Sequence, residues 1–80
     1  MVELSKEDFR KAYVEFNAND EHAVANAIMQ WIRQDVSPYL PPIMLRGMKV
    51  PLEIQDKAMI IVCATIGDDA VLKWENQINA

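Results

Sequence analysis

Hydrophobic and polar positions along the chain fall into a repeating helical pattern. Phe9, Ala12, Tyr13 and Phe16 stand at i, i+3, i+4 and i+7 while Lys6, Arg10, Lys11 and Glu15 take the other side, which predicts an amphipathic helix. Its start is marked by Ser5 as N-cap, Asp8 answering at the third helical position and Leu4 stapling onto Phe9. Asn17-Ala18-Asn19-Asp20 interrupts the pattern, because Asn and Asp side chains hydrogen-bond locally and favour caps over helix interiors. A second helix follows from Asn19 or Asp20, with Val24, Ala27, Ile28, Trp31 and Ile32 on one face and Glu21 suited to the positive end of the dipole. Val36-Ser37-Pro38 closes it, since a residue before proline is pushed out of the α region.

Ser37-Pro38-Tyr39-Leu40-Pro41-Pro42 reads as a rigid, extended connector, because proline fixes φ and removes donors. Ile43 to Gly47 after Pro42 fits one helical turn with proline in its first turn and Gly47 past its end, or else a short strand. Pro51 opens a further helix in which Ile54, Ala58, Ile61, Val62 and Thr65 share a face. Met59, Ile60, Cys63 and Ile66 make its second half apolar nearly all round, which suits a helix central in the fold or covered by another subunit. Ile60-Ile61-Val62 has strand character too, but no other run alternates in a way that would pair with it. Gly67 closes this helix, and Asp68 caps a last one carrying Val71, Trp74 and Ile78. The expected fold is all-α: a compact bundle of four to five short helices with a Pro-rich connector, the Pro51 to Ile66 helix at its centre, and residues 1–80 forming a single domain.

Composition narrows the function classes. At 80 residues and 9.1 kDa there is room for one core, and 51% hydrophobic with 25% charged residues and a mean hydropathy of -0.07 describes a folding chain. Eight basic against 12 acidic residues give a net charge of -4, which neither attracts phosphate backbones or anionic lipid nor amounts to the dense carboxylate display of a DNA mimic. Nucleic acid is disfavoured as a partner. The longest apolar run, Ala58 to Ile66, is about half the ~20 residues a membrane span needs. A lone cysteine cannot form an intrachain disulfide, and the opening residues lack the basic-then-apolar order of a secretory signal, so the expected location is cytoplasmic.

No constellation in the sequence supports chemistry. The only histidine, His22, falls in the first turn of a helix beside Asp20 and Glu21, where a solvated side chain is the expected state. Cys63 lies in the most apolar stretch, where burial raises a thiol's pKa and leaves it inert. One His and one Cys cannot make a zinc set, and Asn17, Asn19 and Glu21 lack the glycine of a calcium loop. Gly47 and Gly67 stand alone, without the clustering that cradles phosphate. The adjacent carboxylates Asp20-Glu21 and Asp68-Asp69 suit helix starts. In size and acidity the chain is similar to acyl carrier proteins, but neither Ser5 nor Ser37 stands in their Asp-Ser-Leu motif, so that likeness implies no function. No cofactor and no metal site is expected.

What the sequence offers instead is surplus apolar surface. A domain this small buries only about 60% of the area its unfolded chain exposes, yet it carries two Trp, two Phe, two Tyr and five Met besides its aliphatics. Tyr39, Leu40, Met44 and Met48, flanked by Arg46 and Lys49, form the candidate protein-binding segment, with gap-filling in the core as the alternative for the two methionines. The expected function is a non-enzymatic protein-binding module, self-associating as a homodimer and acting as a stoichiometric modulator or inhibitor of a larger protein, a class that includes phage-encoded inhibitors. The alternative is a small DNA-binding transcription regulator using Arg46, Lys49 and Lys57, although the first helix junction has no glycine and the second helix has only Arg33 as a basic residue.

Overall fold

Asp20 begins the best-defined helix. Its carboxylate accepts the backbone N–H of His22 at 3.0 Å and so satisfies an amide that a helix start leaves unpaired. The computed structural model describes residues 6–34, 36–37 and 39–79, with the side chains at positions 8, 78 and 79 also outside the description. Its elements are α1 (Lys6–Ala12), α2 (Glu21–Gln34), α3 (Leu40–Gly47), α4 (Leu52–Ile66) and α5 (Asp68–Asn79). The chain is therefore all-α as expected, with no strand among the described residues. The proposed roles of Leu4, Ser5 and Asp8 at the first helix start, of Pro38 after α2 and of the Ile78 side chain lie outside the described residues.

The spine of the core is α2, where Val24, Ala25, Ala27, Ile28, Met29 and Trp31 are all buried. It packs most extensively along α4, which contributes Ala58 and Val62, and α4 in turn packs against α5 through the side that includes Val71. The small side chains Ala25, Ala27 and Ala58 let these backbones approach. The Pro51 to Ile66 helix is central in the sense that α4 packs against both α2 and α5. It is nevertheless buried along one side only, through Ala58 and Val62, whereas α2 supplies most of the buried side chains. The Cα radius of gyration, 11.9 Å, is close to the ~11.6 Å of a compact chain of this length.

The first helix is shorter than its apolar spacing predicts. It ends at Ala12, whose carbonyl accepts the buried indole N–H of Trp31 and so ties the end of α1 to the core. From there the chain runs non-helically to Asn17, with Val14, Phe16 and Ala18 turned inward and Tyr13, Glu15, Asn17 and Asn19 outward. That is a two-residue period, the signature of extended backbone. Phe16 reaches Trp31 edge-to-face, ring centroids 5.9 Å apart. Asn17 then closes the turn into α2 by accepting the Asn19 amide at 3.0 Å.

The Pro-rich connector is also corrected. Pro41 and Pro42 lie inside the first turn of α3, which the Ile43 amide closes onto the Tyr39 carbonyl at 3.4 Å. A first helical turn has no acceptors for its own amides, so two prolines there remove nothing the helix uses. At the far end, Val50 N–H bonds to Leu45 O at 3.1 Å and Lys49 N–H to Arg46 O at 3.0 Å, the paired bonds of a Schellman cap, with Val50 and Leu45 both buried. The left-handed residue of that cap is Lys49, at φ 55, where glycine is usual; Gly47, expected to lie past the helix, is its last residue. Lys49→Gly should therefore stabilise the fold by about 0.5–1 kcal/mol, relief of left-handed strain exceeding glycine's entropy cost. Thermal unfolding followed by circular dichroism should show Tm rising by roughly 2–8 °C; a fall would mean that the Lys49 side chain holds the cap together. Gly67, at φ 95, does occupy a conformation glycine favours, and it ends α4 as expected.

Candidate interaction site

Helical geometry splits the candidate segment across α3. At 100° per residue, Leu40, Leu45, Met44 and Met48 project to one half of the helix and Arg46 to the other. Leu40 is fully buried, so it belongs to the core and has no surface to offer a partner. Met44 and Met48 are half-buried against the same core cluster, and Tyr39 is half-buried at the N-cap. Arg46 and Lys49 are exposed, the first in the last turn of α3 and the second in its cap, where positive charge complements the helix dipole. The six residues do not form one face. Lys57, the third cation of that stretch, is 3.4 Å from Glu53 one turn earlier in α4.

Two other features emerge from the packing. The first is the outer side of α4, where Leu52, Ile60 and Ala64 are exposed alongside Glu53, Asp56 and Lys57. Leu52 keeps 71% and Ile60 70% of its surface accessible, and Leu72 on α5 keeps 56%. The second is a cleft of about 250 Å³ where Pro42 and Leu45 of α3 meet Ile28 of α2, Met59 of α4, and Trp74 and Glu75 of α5. Beyond Trp74 a second cleft of about 260 Å³ opens between α2 and α5, with Ile32, Val36 and Lys73 at its walls.

No known protein family, curated protein or solved structure matches this chain. The candidate site therefore rests on its own chemistry.

Reactive side chains are few. Cys63, half-buried in the last turn of α4, has its thiol pushed up first by burial, then by the neighbouring Asp68 carboxylate and by Glu75. A raised thiol pKa leaves little thiolate at neutral pH and so a poor nucleophile. His22 is exposed, and the neighbouring Asp20 carboxylate is committed to its cap. Asp68 and Asp69 are exposed in the first turn of α5. Among the described residues no group of three His, Cys, Asp or Glu side chains converges to hold a metal. No helix among them is long and apolar enough to cross a membrane.

The outer face of α4 had a signal in the sequence, the helix's apolar second half, but periodicity alone did not single out Leu52 or Ile60. The cleft had none, because its walls come from four helices whose mutual placement no local pattern encodes.

Proposed function

We propose that this chain is a small protein-binding module that acts without chemistry of its own, self-associates through the outer face of α4, and modulates or inhibits a larger protein by occupying it one to one. The observation that carries this reading is Ile60: a large aliphatic 70% exposed in the middle of a helix that is apolar on nearly every side in its second half. A helix of that composition is stable where both of its faces are covered, and here one is left for a partner. Leu52, two turns earlier, is a second exposed aliphatic on this side, separated from Ile60 by Asp56, and the ion pair between Glu53 and Lys57 adds mixed charge beside them, as at the rim of an interface. A twofold arrangement brings two copies of such a face together with the least new surface. A cytoplasmic setting suits the lone thiol.

Ile60→Glu tests the reading. The side chain already faces water, so the variant should keep its helicity and unfold within about 0.5 kcal/mol of the parent. Sedimentation equilibrium at micromolar concentration should show the parent as a dimer and the variant as a monomer. A parent that sediments as a monomer across that range would remove self-association from the proposal.

A further inference from the structure

Resting on that reading of a protein-binding module, we propose that the cleft between α3, α4 and α5 is the docking site for its larger partner, and that it takes one bulky apolar side chain from a positively charged peptide segment. A volume of about 250 Å³ is below the ~300–1,000 Å³ of pockets that enclose whole small molecules, and is suited to one side chain delivered by a larger body. Its walls are apolar: Ile28, Leu45, Met59 and the half-buried Trp74. A partly covered Trp beside a Met at a junction of helices is the composition of an interface anchor point. The polar groups then select the partner. The Gln55 amide donates to the Val50 carbonyl at 3.0 Å and is committed to holding the α3–α4 link. Glu75 is exposed and is the one charged residue among those lining the cleft. It stands on a chain whose net charge is -4. A segment that seats an apolar residue here meets a carboxylate at the rim, so Lys or Arg beside the anchor is favoured and Asp or Glu repelled.

The probe is a pair of helical peptides with the same leucine anchors, one flanked by lysines and the other by glutamates, titrated into the full chain while tryptophan emission is recorded. The lysine peptide should shift the emission and saturate, and the glutamate peptide should bind at least about tenfold more weakly. General attraction to an acidic chain is separated by two neutralising variants of equal charge change. Glu75→Gln should weaken the lysine peptide about fivefold, and Glu7→Gln, exposed on α1, less than twofold. Glu75→Lys should reverse the preference between the peptides. Equal losses from Glu75→Gln and Glu7→Gln, or an unreversed preference in Glu75→Lys, would overturn the cleft as the docking site. So would a loss of self-association in Glu75→Lys, which would make the cleft a contact between copies of this chain. Ile60→Glu leaves the cleft untouched, so failure of the dimer and failure of the cleft are read separately.

Discussion

Trp31→Ala should unfold the domain at room temperature. Trp31 is 1% exposed at the centre of α2, and its removal takes away three things at once. The cavity costs about 3–5 kcal/mol, as for other large aromatic deletions in cores. The Ala12 carbonyl loses its donor, and a buried acceptor left unpaired costs a further 1–3 kcal/mol or so. The edge-to-face contact with Phe16 goes too, worth about 0.5–1.5 kcal/mol. Against this stands a total stability on the order of 4–12 kcal/mol for 80 residues. Loss of the far-ultraviolet helical signal is the measurement. Trp31→Phe separates the contributions: it keeps most of the aromatic volume but not the N–H, so urea unfolding should show a loss of roughly 1–3 kcal/mol. A Trp31→Phe protein as stable as the parent would mean that the Ala12 carbonyl does not depend on Trp31.

The same residue explains what could and could not be read along the chain. The α2 stripe was legible because one side of α2 is buried along its whole length, so a 3.6-residue period is printed on it, and Asp20 was legible as a cap because its effect is local. The end of α1 was not. Phe9, Ala12, Tyr13 and Phe16 obey helical spacing, yet Tyr13 is 65% exposed and Phe16 reaches the core from extended backbone. The competing signal, alternation of Ala12, Val14, Phe16 and Ala18 with polar or exposed neighbours, was present, but the contacts that favour it, Ala12 and Phe16 on Trp31, come from a residue 19 and 15 positions further along the chain. At α3 the first-turn position of a proline was legible, but the helix starts earlier than that reading placed it, at Leu40, so Pro41 and Pro42 belong to the helix and not to an extended connector. Lys49 in a glycine's place hid the cap that ends this helix. For function, the apolar second half of α4 was legible only as a helix central in the fold or covered by another subunit, whereas the candidate segment around Tyr39 was judged by proximity in sequence, and a helix distributes neighbours in sequence around its whole circumference.

Leu40 is the sharpest instance, and Leu40→Ala should cost about 2–5 kcal/mol, the range for a fully buried leucine that leaves a cavity. Arg46→Ala, exposed on the other side of α3, should change stability by no more than about 0.5 kcal/mol. Chemical unfolding of the two variants beside the parent measures both. The difference bears on function because α3 holds its place through Leu40, Pro41 and Leu45, and the side of α3 carrying Pro42 and Leu45 is one wall of the cleft. Leu40 therefore acts on a partner only through the position of that wall: a Leu40→Ala protein that still folds should bind the lysine peptide more weakly although Leu40 never touches it. Should Leu40→Ala prove as stable as Arg46→Ala, α3 would not be anchored to the core, and the cleft would lose the wall that gives it its shape.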